Sequence, residues 1–86
     1  MDLENKLWVL ASGIRLRILA RLTQQPAQVR DLTSELHSSQ PTISRHLKYL
    51  QSAGFVTRQS RSMAYTICPG QVEQVIHQLE SRISEK

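Results

Sequence analysis

Apolar residues recur along this chain at two spacings, and the change of spacing divides it. In the first part they fall three or four residues apart, as one face of a helix requires. Leu3, Leu7 and Leu10 begin the series, and Asp2 is placed to cap the helix they imply. Ser12-Gly13 interrupts it, and Ser12 can cap a second helix whose stripe is Ile14, Ile18, Leu19 and Leu22. Gln24-Gln25-Pro26 stops that helix, because proline disfavours helical geometry in the residue before it. Val29, Leu32 and Leu36 mark a short third helix over about 28–37. After the polar Ser38-Ser39-Gln40, Pro41 suits a first helical turn. Ile43, Leu47 and Leu50 then form the inner stripe of a fourth helix ending near Ser52, with Gly54 placed as its left-handed cap.

Beyond Gly54 the pattern becomes β-prone. Phe55-Val56-Thr57-Arg58 and Met63-Ala64-Tyr65-Thr66-Ile67-Cys68 flank a polar Gln59-Ser60-Arg61-Ser62, which predicts a hairpin over 55–68. Pro69-Gly70 ends the second strand, and Val72, Val75, Ile76, Leu79 and Ile83 return to helical spacing. No repeat, low-complexity tract or linker interrupts the series, so residues 1–86 are read as a single domain. Its predicted class is mainly α with a small β-hairpin (α+β), about five helices plus two strands.

Composition narrows the class. Apolar residues are 40 % and charged ones 21 % of 86, which fits a folded chain and excludes compositional disorder. Apolar runs such as Leu7 to Ala11 are far short of a membrane span. Met1-Asp2-Leu3-Glu4 carries no basic segment ahead of an apolar one, so no secretory signal is expected, and Met1 suggests a natural start. Cys68 is the single cysteine, which excludes an intramolecular disulfide and a cysteine zinc cage and fits a reducing cytoplasm.

Charge is informative once it is located. Lysine and arginine total 11 and acids total 7, a balance of +4. No acid occurs between Glu35 and Glu73, yet Arg45, Lys48, Arg58 and Arg61 all lie there. That stretch carries the whole excess, and it is also the stretch of the fourth helix and the hairpin. Two short helices joined by a polar turn, the second basic on its outer face, match a helix-turn-helix over 28–52. The second helix must bury Ile43, Leu47 and Leu50 while presenting Thr42, Arg45 and Lys48 outward. The hairpin with Arg58 and Arg61 beside it forms a wing whose basic tip can reach phosphates or an adjacent minor groove.

With those residues in view, the chain resembles the ArsR/SmtB winged helix-turn-helix repressors over about residues 7–83. The resemblance is carried by Arg15-Leu16-Arg17-Ile18-Leu19, by Ser39-Gln40-Pro41-Thr42-Ile43-Ser44-Arg45-His46-Leu47-Lys48-Tyr49-Leu50, and by Ala53-Gly54-Phe55-Val56. It implies a homodimer whose first and last helices (1–12 and 71–86) pack across a two-fold axis, each recognition helix entering a major groove at a pseudo-palindromic operator. Ser39, Gln40, Thr42, Ser44, Arg45 and His46 match the family's DNA-reading segment, and Arg61 with Ser62 match its wing tip. On chemistry alone, Arg45 is the strongest base reader, since its planar fork can bridge O6 and N7 of guanine. Gln40 can read adenine, and Lys48 suits a phosphate. His46 suits either a phosphate or helix packing, and Arg15, Arg17 and Arg21 are read as surface residues. The proposed dimer residues are Leu3, Leu7, Trp8, Leu10, Val75, Ile76, Leu79 and Ile83. A chain this size buries only about 60–65 % of its unfolded surface, and they offer more apolar area than one small core absorbs.

The family's sensing sites are not visible. Arg30 stands where a metal-binding thiolate would sit in the third helix, and the last helix offers Glu73, His77 and Glu80 without a full ligand set. No metal or cofactor is expected. His37, His46 and His77 form no catalytic arrangement and no glycine-rich phosphate loop exists, so an enzyme is not expected. One Phe, one Trp and two Tyr are few for stacking RNA bases. Three readings stay open: a sequence-specific repressor of transcription, a plasmid or viral segregation or replication factor coating repeated DNA sites, and a winged-helix protein-interaction module.

Overall fold

The computed structural model describes residues 1–84, in the order α1 (Leu3–Leu10), α2 (Gly13–Leu22), α3 (Val29–Leu36), α4 (Gln40–Ser52), β1 (Val56–Arg58), β2 (Tyr65–Ile67) and α5 (Gln71–Ser84). Each early helix starts where an oxygen is available for its orphan amides. Asp2 accepts from the Asn5 amide at 2.9 Å, Ser12 from Arg15 at 3.4 Å, and Ser39 from Thr42 at 3.4 Å. At α3 the Asp31 carboxylate reaches back to the Gln28 amide at 3.0 Å.

The turn from α4 into β1 shows why Gly54 is there. Its φ is +85°, a left-handed value that costs a residue with a Cβ roughly 1 kcal/mol or more. Phe55 N–H then bonds Leu50 C=O at 2.9 Å and Gly54 N–H bonds Gln51 C=O at 3.0 Å, a Schellman closure. This turn delivers Phe55 and Val56 into the core. Phe55, Ile18, Leu32, Ile43, Leu47, Leu50, Val9, Val56 and Val75 are its most fully buried side chains, drawn from every helix and from β1.

The wing is antiparallel, with Val56 opposite Ile67, Thr57 opposite Thr66 and Arg58 opposite Tyr65. Its second strand is shorter than the sequence pattern predicts: Met63 has φ +60° and belongs to the turn, closed by Met63 N–H to Gln59 C=O at 2.9 Å. Ala27, just before α3, pairs with Tyr65 by two backbone bonds of 3.1 and 2.8 Å. This bridge extends the hairpin toward the helix-turn-helix and leaves no sign in local sequence spacing.

Two expectations need correction. Arg15 is 5 % exposed and belongs to the interior, while Arg21 is held by Glu35 at 2.7 Å; only Arg17 of the three is an open surface residue. Leu3 and Val75, expected to face a partner, are buried within the protomer, because α1 and α5 pack against each other. Both therefore have almost no surface left to offer. Leu7, Leu10 and Leu79 are half-buried against the same core, and Trp8, Ile76 and Ile83 stay exposed. The expected dimerisation segment 71–86 runs past the described residues at 85 and 86.

Candidate nucleic-acid interface

The turn between α3 and α4 is sharp because His37 adopts φ +53° and ends α3 without a glycine. Ser39 then caps α4, and its hydroxyl also donates to Thr42 Oγ1 at 2.8 Å. Both hydroxyls thus serve the start of the helix, with Ser39 exposed and Thr42 half-buried. The burial of Ile43, Leu47 and Leu50 sets the rotation of α4, and helical spacing turns Gln40, Ser44, Arg45 and Lys48 to solvent. Pro41, Ser44, Arg45 and Lys48 together line a shallow outer concavity of about 300 Å³. Neither Arg45 nor Lys48 has a carboxylate partner among the described residues, in contrast to Arg21 with Glu35 and Arg82 with Glu4.

On the wing, Arg61 lies exposed in the turn without an ion-pair partner among the described residues. Ser62 is occupied by the turn itself: its hydroxyl donates to Gln59 Oε1 at 2.8 Å and accepts from the Ala64 amide at 3.3 Å. Gln28 Nε2 donates to Ser62 C=O at 2.6 Å, which ties the wing tip to the start of α3. Arg58 is laid back along the hairpin, donating to Met63 Sδ at 3.3 Å with its guanidinium 6.0 Å from the Tyr65 ring. The structure thus gathers Ser44, Arg45 and Lys48, puts Arg61 on the wing, and holds Arg58 against its own strand.

His46 departs from that outer face. It is half-buried, and its Nδ1 lies 3.0 Å from Arg15 Nη1. A guanidinium has donors only, so Nδ1 accepts and the ring is the neutral Nε2–H tautomer. Burial first, then the Arg15 and Arg45 cations, hold its pKa below the ordinary 6.5. The Arg15 guanidinium is completed by Nε to Val9 C=O, by Nη2 to Trp8 C=O at 3.2 Å, and by the faces of Trp8 and Tyr49 at 4.8 and 5.1 Å.

Arg30, Thr33 and Ser34 of α3 were not expected here, yet with Gln40 they line a second concavity of about 270 Å³ beside the start of α4. The signal was present in part, since Arg30 lies on the first helix of the pair. Glu73 and His77 are exposed on α5, and no group of three or more His, Cys, Asp or Glu is gathered among the described residues. Among those residues no helix is long and apolar enough to cross a membrane.

A capped helix pair, a basic outer face on its second helix and a hairpin hydrogen-bonded beside it define a winged helix-turn-helix protein. Residues 12–58 match the bacterial regulatory proteins of the arsR family, and the chain belongs to that family. It is 33 % identical over 69 residues to the HTH-type transcriptional repressor SmtB of Mycobacterium tuberculosis, covering 78 % of this chain and 51 % of that protein. The chain therefore spans about half the length of this curated relative. Among solved structures, an ArsR-like transcriptional regulator from Rhodococcus sp. RHA1 superposes with a TM-score of 0.84 at 25 % identity, over 96 % of this chain and 80 % of that one. The homodimeric winged helix-turn-helix DNA-binding domain of Mb0332 from Mycobacterium bovis gives 0.73 at 25 % identity, over 95 % and 78 %.

Proposed function

We propose that this chain is a homodimeric, sequence-specific double-stranded DNA-binding repressor of transcription that acts at a pseudo-palindromic operator. The observation that carries this reading is the outer face of α4: Ser44, Arg45 and Lys48 are exposed and free of carboxylate partners among the described residues. A protein dock of the same fold has no need to keep such cations uncompensated, whereas a polyanion supplies the missing charge. Gln40, Ser44 and Arg45 read base edges, Thr42 and Lys48 hold the adjacent phosphates, and Ser39, whose hydroxyl proton goes to Thr42 Oγ1, shapes the start of α4. Arg61 reaches backbone from the wing, while Ser62 and Arg58 shape it. Arg30, Thr33 and Ser34 add a backbone contact from α3. Support for two-fold assembly comes from the exposed Ile76 and Ile83 on α5 and from the homodimeric Mb0332 domain. Arg30 in place of a thiolate leaves the family's cysteine metal site out of this reading, and membership of a bacterial regulatory family supports a cytoplasmic location.

The test is titration of the full chain by fluorescence anisotropy against a duplex selected from a randomised pool and against its shuffled control, at several salt concentrations. Preference for the selected duplex by about 10³ or more is expected; equal binding to both sinks sequence-specific repression. Arg45→Ala should cost about 1–3 kcal/mol of binding and relax preference at one base pair. A loss that is equal on every sequence would make Arg45 a backbone contact. Arg61→Ala should weaken all duplexes evenly and flatten the salt dependence by about one unit. An unchanged slope takes the wing off the DNA.

A further inference from the structure

We propose that Arg15 and His46 are positioning residues that lock the recognition helix α4 to the end of α1, and that protonation of His46 opens this lock and weakens DNA binding. The inference rests on the DNA-binding reading above. Arg15 is 5 % exposed, and no carboxylate is paired with it among the described residues. A buried cation needs another source of negative charge. Here it comes from the Trp8 and Val9 carbonyls at the C-terminal end of α1, the negative end of its dipole, and from the faces of Trp8 and Tyr49. The remaining edge of the guanidinium goes to His46 Nδ1. One planar fork on α2 thus grips α1 on one side and α4 on the other. Because its geometry is rigid, it fixes how α4 is rotated against the body. His46 follows Arg45 directly in sequence, so whatever sets the imidazole also sets the proposed base reader.

Protonation removes the acceptor. An imidazolium carries N–H at both nitrogens, so Nδ1–H would then face Arg15 Nη1–H across 3.0 Å, cation against cation. The charged groups that bear on His46 are Arg15 from α2 and Arg45 from α4; the Tyr49 ring of α4 lies 6.3 Å away, and Trp8 of α1 stacks edge-on against Tyr49 at 5.3 Å. No carboxylate bonds to His46 among the described residues. The folded pKa is lowered, so the released or unfolded state takes up the proton more readily. The lock's contribution is therefore whole above the ordinary value of 6.5 and is lost as pH falls through the lower folded value. A histidine that touched phosphate would behave in the opposite way, gaining affinity as it charged.

The experiment measures Kd for the selected duplex at constant ionic strength from about pH 7.5 to 5.5, across the ordinary histidine range. Alongside it, the imidazole and Trp8 indole signals of the free protein are followed by NMR. Wild type should weaken about tenfold toward acid, the order of one lost hydrogen bond to a charged group. His46→Gln, which cannot titrate, should flatten the profile to within about twofold. In the free protein the Trp8 indole should shift with the same midpoint as His46, and Arg15→Met should raise that midpoint. If Arg15→Met does not fold, Arg15→Lys, which keeps the cation and loses the fork, should uncouple the indole shift. Affinity that is flat or rises toward acid in wild type overturns the proposal, as does a fall that persists in His46→Gln. If selection recovers no duplex at all, the DNA-binding reading fails, and the coupled His46 and Trp8 titration still decides whether the lock exists.

Discussion

Ile76→Glu should turn a dimer into a monomer and lower affinity for a two-half-site duplex by about 10²–10⁴-fold. The residue is 52 % exposed on α5, so the substitution removes little from the protomer's own core, and its effect on folding should stay within about 0.5 kcal/mol. In a two-fold interface each substitution appears twice, and a carboxylate buried there without a partner is costly at both copies. The large loss on DNA has a separate origin. Once one protomer is bound, its partner meets the second half-site at high local concentration, and a monomer forfeits that advantage. Sedimentation equilibrium reads the first effect and anisotropy with one-half-site and two-half-site duplexes reads the second. A protein that remains dimeric places the interface elsewhere, and a wild type that is monomeric removes the dimer from the proposed function. Ile76 is the better position than Leu3 or Val75, because those two are buried inside the protomer and their loss would confuse unfolding with dissociation.

The difference between Ile76 and Val75 shows what sequence spacing conveys and what it omits. Both lie in the apolar series of α5, and period alone identifies a helix without saying which half of its stripe faces its own domain. That depends on how α1 and α5 pack. The helices themselves were legible because their signals are local: Asp2 and Ser12 cap, Pro41 stands in the first turn of α4, and Gly54 closes that helix with φ +85°. The two faces of α4 were legible for the same reason, since Ile43, Leu47 and Leu50 leave Arg45 and Lys48 only the outer side. Non-local features were not legible. The Ala27–Tyr65 bridge joins segments far apart in the chain, and Met63 in the left-handed region is not a choice its side chain announces. Arg15 is the largest such omission. Arginine is rarely fully buried, and the carbonyls that accept it belong to the end of another helix, so nothing within its own segment marks it as interior.

Leu47→Ala should destabilise the fold by about 2–5 kcal/mol, through lost transfer energy and the cavity left behind. Leu47 has no exposed surface and holds the middle of α4 against the core. Small domains have only about 5–15 kcal/mol in all, so the variant should unfold at much lower urea with an unchanged m value. Lys48→Ala, one residue on, provides the contrast. Its side chain is exposed, so stability should move by no more than about 0.5 kcal/mol, while DNA binding should weaken on every sequence and lose about one unit of salt slope. Neighbouring residues on one helix thus divide cleanly between two readouts, because about 100° of rotation separates them. If Leu47→Ala left the urea midpoint unchanged, α4 would not be seated by its inner stripe, and the outward aim of Arg45 would lose its physical basis. If Lys48→Ala lowered stability as much as Leu47→Ala, the outer face would be part of the core and not a surface open to DNA. The two variants test the same rotation of α4 from opposite sides, and only a helix with one buried and one uncompensated basic face satisfies both.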